Sequence, residues 1–234
     1  MPLTVFTFAS YPGTSIVLPP GDPLWESKHA LLALKGEPKW FRLPDGRMVA
    51  PADAPEIAIE WFSSKIASIW EKVLQRDRYH LVPVPDSKAT PGVQDCRTAM
   101  LARAIAAKVG PGAVVADVLR WSEPMKSASK GGGTRAAQEL YKKLVLLPHG
   151  VPNEACCVIV DDVITSGGHV QAAAARLRAS GWTCEAVFCA GETVEDRRAP
   201  FGIWSRRLGE YDPETGTIEV VYWLGPNSSP AATT

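Results

Sequence analysis

The pattern of apolar and polar positions changes character along the chain. Over 57–74 the apolar residues Ile59, Phe62, Ile66, Ile69 and Val73 return every three or four positions, which lines one face of a helix. Asp53, Pro55 and Glu56 supply a start signal for it. A short apolar run closed by prolines follows at 80–85, then a polar loop over 86–94 and an alanine-rich helical stretch over 96–108. The same reading gives a strand at 113–119, a helix at 136–144, a strand at 156–160, a helix at 168–179 and a strand at 184–189. Strands alternating with helices predict an α/β domain, with a mostly parallel sheet flanked by helices and ligands bound at the carboxyl ends of the strands.

The flanks read differently. Residues 1–56 are rich in Pro and Gly, and their apolar runs at 3–9, 15–18 and 30–34 hold no sustained period. They are expected to form an irregular or partly β accessory region, a hood over a core spanning 57–225. A last strand is expected at 218–224 and a disordered tail at 226–234. The stretch 125–134, MKSASKGGGT, holds too much Gly, Ser and Lys to pack and is expected to be a mobile loop.

Composition narrows the class of partner. The chain has 234 residues, 46% hydrophobic and 21% charged, enough to bury a full core. Lys and Arg number 25 and so do Asp and Glu, so the overall charge calls for neither nucleic acid nor an anionic membrane, and any anion recognition must be local. The first residues, MPLTVFTFASYPG, lack the features of a secretory signal, and no apolar run is long enough to span a bilayer, so a cytoplasmic location is expected. Cys96, Cys156, Cys157, Cys184 and Cys189 form no C-x-x-C pair, and this odd set is read as buried thiols in a reducing compartment.

One segment combines several chemical features. In 158–169 an apolar run (Val158, Ile159, Val160) meets two acids (Asp161, Asp162), two apolar residues (Val163, Ile164) and a turn of Thr165, Ser166, Gly167, Gly168 and His169 that opens a helix. A phosphomonoester needs several donors at once, which the free N–H groups of a helix N-terminus supply together with the Thr165 and Ser166 hydroxyls. Glycines at 167 and 168 let a backbone approach the phosphate oxygens. Adjacent carboxylates can accept hydrogen bonds from a sugar diol and sit near a hard cation, directly or through water. Taken singly, the acids could equally end a strand and Thr165 cap a helix.

In that order the segment resembles the signature of the type I phosphoribosyltransferases. The resemblance implies an α/β core in which this turn holds the 5-phosphate of 5-phosphoribosyl 1-pyrophosphate and the two acids hold the ribose hydroxyls, with Mg²⁺ as cofactor. The run Leu81, Val82, Pro83, Val84, Pro85, then Asp86, Ser87 and Lys88, is similar to the family's first core strand and pyrophosphate loop, closest in pattern to the ComF-type branch. Lys88 could set a cation against a diphosphate or be a solvated loop lysine. The loop 126–135 stands where the family's flexible catalytic loop stands, with Lys126, Lys130 and Arg135 as its cations, and it reads equally as a solvated linker. The likeness covers 80–190.

The resemblance implies transfer of ribose 5-phosphate to a nitrogenous acceptor, with release of pyrophosphate. Thr165 stands where enzymes of 6-oxopurines carry a further Asp, no cysteine follows Met1 as in amidotransferases, and the ComF branch's zinc knuckle is absent. Trp40, Trp61, Trp204, Tyr222 and Trp223 are candidates to stack on the acceptor or to pack the hood. A phosphoribosyl-pyrophosphate-binding regulator and a ComF-like accessory of DNA uptake are the rival readings, and a homodimer is compatible with all three.

Overall fold

A computed structural model describes residues 2–93, 97–126, 134, 136–148, 150–152 and 154–219. A six-stranded sheet runs through it in the order β10, β1, β9, β8, β4, β5, with β1 at Leu3–Pro12, β4 at Tyr79–Pro83, β5 at Ala113–Val115, β8 at Cys156–Ile164, β9 at Thr183–Val194 and β10 at Phe201–Leu208. Every pairing is parallel except that of β1 with β10. The α/β class and the mostly parallel sheet are as the alternating pattern predicts.

Both faces of the sheet are covered, which follows from the alternation of its side chains. In β8, Val158 and Val160 join a core with Phe62 and Ile66 of α2 (Ala54–Val73) and Leu101 and Ile105 of α3 (Arg97–Val109). Leu31 of α1 (Leu24–Leu34) belongs to the same core. Cys157 and Ile159 point the other way, into a core with Val170 and Leu177 of α5 (Gly168–Arg178) and Leu140 of α4 (Ala137–Lys143). Because both of its faces are buried, β8 reads as a continuous apolar run. The described cysteines fit this packing: Cys157, Cys184 and Cys189 are buried free thiols, and Cys156 is half-buried.

Several elements differ from the sequence reading. The residues taken as the start of an accessory region form a ten-residue strand, β1, inside the sheet between β9 and β10. Leu3 and Val5 enter one core and Phe8 and Ala9 the other, so the run shows no clean alternation from which to assign a half-buried strand. The rest of that segment holds α1 and the two short strands β2 (Phe41–Arg42) and β3 (Met48–Val49), paired with each other. The single strand expected at 113–119 is two: β5 in the main sheet, and β6 (Leu119–Trp121), which pairs antiparallel with β7 (Leu144–Leu146). No sequence signal pointed to β10. Of the last strand expected at 218–224, Ile218 forms a bridge with Tyr211 and 220–224 lie outside the described residues, as does the tail 226–234. Among the described residues no helix is long and apolar enough to cross a membrane.

Candidate functional site

The carboxyl ends of β1, β4, β8 and β9 open on one cavity of about 370 Å³. The β8 end and its turn contribute 161–167 and His169; the loop after β4 contributes Val84, Pro85, Asp86 and Ser87; the end of β1 contributes Tyr11, Pro12, Gly13 and Thr14. The walls also include Lys35, Arg97, Thr98, Trp121, Met125 and Lys126, with Thr193 at the end of β9. Two segments 74 residues apart in sequence, the acidic stretch of β8 at Asp161 and the loop at Ser87, thus face a common space.

The turn after β8 is built as a helix start. Gln171 N–H donates to Gly167 O at 2.9 Å, so α5 begins at Gly168 and the N–H groups of its first residues have no intrahelical acceptor. Thr165 Oγ1 lies 2.8 Å from Thr193 Oγ1 of β9, which ties the turn to the sheet, and Ser166 is exposed. Gly167 is left-handed, at φ +90°, and a Cβ there would meet Leu208 Cδ1 of β10 at 2.7 Å. The glycine is therefore required by backbone conformation and by the side chain beneath it. Gly168 is buried and does not line the cavity.

The acids do not end the strand. β8 continues through Ile164, and Asp161 is only 8% exposed. Burial pushes the Asp161 carboxyl well above the usual carboxylate range, and the neighbouring Asp162 charge pushes it further. Asp161 Oδ1 accepts the Asp162 N–H at 2.8 Å, and Asp162 Oδ1 accepts the Val163 N–H at 2.6 Å. Asp162 is half-buried, with its Oδ2 3.8 Å from Nζ of Lys35. Lys35 follows the last residue of α1 and also lies over the Tyr11 ring, 5.5 Å from its centroid.

The loop after β4 is held from behind. Lys88 N–H donates to Asp86 Oδ1 at 2.9 Å and Ala89 N–H to Asp86 O at 3.0 Å, which makes a compact turn. Asp86 and Ser87 line the cavity, whereas Lys88 is exposed and does not. Lys126 lines it; Lys130, Arg135 and most of the loop between them lie outside the described residues.

The aromatic candidates fall elsewhere. Trp40 is 58% exposed and away from the cavity, Trp61 packs edge-on against Phe62 and Phe201, and Trp204 lies under the Arg198 guanidinium. Tyr222 and Trp223 lie outside the described residues. Among the described residues, the Tyr and Trp rings that line the cavity are those of Tyr11 and Trp121, beside the His169 imidazole.

No family model and no curated protein sequence matches the chain. Among solved structures the chain is similar to an adenine phosphoribosyltransferase from Thermoanaerobacter pseudethanolicus, at 18% identity over 69% of this chain and 87% of that chain, with a TM-score of 0.38. It is similar to an adenine phosphoribosyltransferase from Trypanosoma brucei, in complex with AMP, pyrophosphate and ribose-5-phosphate, at 16% identity over 75% of this chain and 82% of that one, with a TM-score of 0.40. A hypoxanthine phosphoribosyltransferase from Staphylococcus aureus is 9% identical over 59% of this chain and 74% of its own, with a TM-score of 0.39.

Tyr11, Lys35, Arg97 and Trp121 are among the cavity residues that sequence reasoning missed. Each belongs to an element whose own pattern gives no hint of its neighbours, and the topology alone brings them to the acids. For Lys35, the only local mark is its place at the end of an apolar helix, before Gly36.

Proposed function

We propose that the chain is a Mg²⁺-dependent phosphoribosyltransferase, binding 5-phosphoribosyl 1-pyrophosphate and passing its ribose 5-phosphate to a nitrogenous acceptor. The observation that carries this reading is the single cavity shared by the donor-rich turn after β8, the acids before it and the loop after β4. A ligand with a phosphate at one end, a diol between and a diphosphate at the other matches that order of groups. The N–H groups at the start of α5, with the Thr165 and Ser166 hydroxyls, take the 5-phosphate. Asp161 and Asp162 take the ribose hydroxyls. The Asp86–Ser87 backbone takes the pyrophosphate, with Lys126, which lines the cavity, as the cation beside it; Lys88, Lys130 and Arg135 are the further cations that the family resemblance suggests.

The acids fit Mg²⁺ in one particular way. Among the described residues no cluster of three or more His, Cys, Asp or Glu could hold a metal ion. Mg²⁺ is commonly held by one or two carboxylates, water and substrate oxygens. Asp162, with its partly exposed carboxylate, would hold it, whereas Asp161, whose charged form burial disfavours, suits a ribose hydroxyl better. When bound, the ion neutralises charge on the leaving pyrophosphate.

In the reaction the acceptor nitrogen lone pair forms a bond to C1 as the C1–O bond to pyrophosphate breaks, and the nitrogen loses its proton to solvent. The chain's own contribution is to hold both ends of the donor in line and to exclude water. The test is calorimetry with phosphoribosyl pyrophosphate and Mg²⁺, followed by pyrophosphate release over a panel of purines, pyrimidines and amines. Release that depends on one acceptor supports the enzyme. Tight binding without release against every acceptor would make the chain a phosphoribosyl-pyrophosphate-binding regulator or a ComF-like accessory, and absence of binding would overturn the reading altogether.

A further inference from the structure

The two anion-binding segments of the cavity are joined by one side chain. Trp121 is 1% exposed, at the end of β6, which pairs with β7 outside the main sheet. Its indole Nε1–H donates to Pro85 O at 3.2 Å, and its backbone N–H donates to Ala89 O at 2.9 Å. The ring of the same residue meets His169, in the first turn of α5, edge to face with centroids 5.8 Å apart and planes at 80°. The chain around Trp121 adds to the hold on the loop after β4. Arg120 Nε–H donates to Val93 O at 3.2 Å, and Met125 N–H to Ser87 O at 2.7 Å.

The bond to Pro85 O has a directional consequence. The Pro85 carbonyl and the Asp86 N–H belong to one planar trans peptide and point in opposite directions. Fixing the carbonyl against the indole fixes the Asp86 N–H away from it, at the head of the loop. An indole buried in the core on one side and touching α5 on the other moves little.

We propose that Trp121 is the positioning residue that keeps the loop after β4 and the N-terminus of α5 in register, so that the two ends of one phosphoribosyl pyrophosphate molecule are held at their correct separation. This rests on the functional reading above. Ligands for the two ends can be offered separately: inorganic pyrophosphate with Mg²⁺ for the loop, and ribose 5-phosphate for α5.

The test uses the full chain labelled with ¹⁵N and follows the Trp121 indole N–H resonance, assigned through bonds to its own backbone, together with calorimetry of both ligands. The expected result is that each ligand, added alone, shifts this resonance. In Trp121→Phe, which keeps an aromatic edge near His169 and removes the Nε1–H donor, pyrophosphate affinity should fall about two- to tenfold, as loss of one hydrogen bond predicts. Ribose 5-phosphate affinity should change by less than about twofold, since its N–H donors remain in place. A merely structural tryptophan would weaken both ligands together. Equal weakening of both, unchanged binding of both, or a resonance indifferent to either ligand while calorimetry shows both bound would overturn the proposal and leave the functional reading standing. If the wild-type chain binds neither ligand, the functional reading falls and the bridge falls with it. Should Trp121→Phe fail to fold, the response of the wild-type resonance decides.

Discussion

Gly167 sits against Leu208: with φ at +90°, a Cβ on the glycine would lie 2.7 Å from Leu208 Cδ1 and 2.9 Å from Cδ2. The turn that opens α5 is therefore held by β10, the edge strand of the sheet, and not only by its own sequence. Arg206, two residues before Leu208 on the same strand, also reaches the turn, with its Nη2 3.5 Å from Thr165 O, while its Nε pairs with Glu192 of β9 at 2.8 Å.

That contact sets the order of two substitutions. Gly167→Val places a β-branched residue in a left-handed conformation, at a cost of about 1–2 kcal/mol from chirality alone, and drives a side chain into Leu208. Thr165→Ala removes the Thr193 contact and one hydroxyl donor, about 0.5–1.5 kcal/mol, and leaves the helix N-terminus intact. Titration with ribose 5-phosphate and thermal unfolding should both show Gly167→Val as the more damaging. The reverse order in the titration would make the Thr165 hydroxyl the principal phosphate contact.

The two acids should separate in function. Asp162→Asn removes the partly exposed carboxylate proposed for Mg²⁺, whereas Asp161→Asn replaces a carboxyl whose charged form burial disfavours with a neutral group of the same shape. Calorimetry with phosphoribosyl pyrophosphate at increasing Mg²⁺ should show Asp162→Asn losing most Mg²⁺-dependent affinity and Asp161→Asn losing less. Equal losses would mean that both carboxylates are charged when ligand binds.

Asp161 should also make the fold sensitive to pH. Its folded pKa is raised, so above the unfolded value near about 4 the unfolded chain has released a proton that the folded chain retains. The folded state then binds more protons and loses stability as pH rises, until Asp161 ionises in the fold. Asp161→Asn removes this loss. Its melting temperature relative to wild type should be higher at pH 7 than at pH 4, and a difference independent of pH would mean that Asp161 is not destabilised by burial.

What could be read from the sequence depended on whether the signal was local. The β8 strand, its acids and the α5 turn are contiguous, so Val158 to His169 could be assigned to one site without knowledge of any other element. α2 was legible because one face of twenty residues is buried and the opposite face is not. β1 was read as part of a partly β accessory region and not as a strand of the core sheet, because a strand buried on both faces has no period, and β10 was missed because its more buried positions, Gly202, Trp204, Arg206 and Leu208, do not form an apolar stripe. The burial of Asp161 was equally hidden: two adjacent acids suggest the end of a strand, and only the neighbouring β9, which carries Cys189 opposite Asp161, shows that the strand continues.

Lys35 is the residue whose role the sequence did not suggest and the geometry does. Its Nζ lies 3.8 Å from Asp162 Oδ2, a distance of ion pairing, with about a quarter of each side chain exposed. Pairs this open to solvent contribute about 0.2–1 kcal/mol, so Lys35→Met should leave the melting temperature nearly unchanged. The effect on a cation is larger in kind, because on the proposed function Lys35 would compete with Mg²⁺ for the same carboxylate. Removing it should lower the Mg²⁺ concentration for half-maximal binding of phosphoribosyl pyrophosphate, by up to about fivefold if the whole pair energy is returned. At saturating Mg²⁺ the variant and the wild type should bind the ligand equally well. Weaker binding by Lys35→Met at saturating Mg²⁺ would instead make Lys35 a direct contact of the bound anion, drawn from Asp162 to the ligand when the cavity fills.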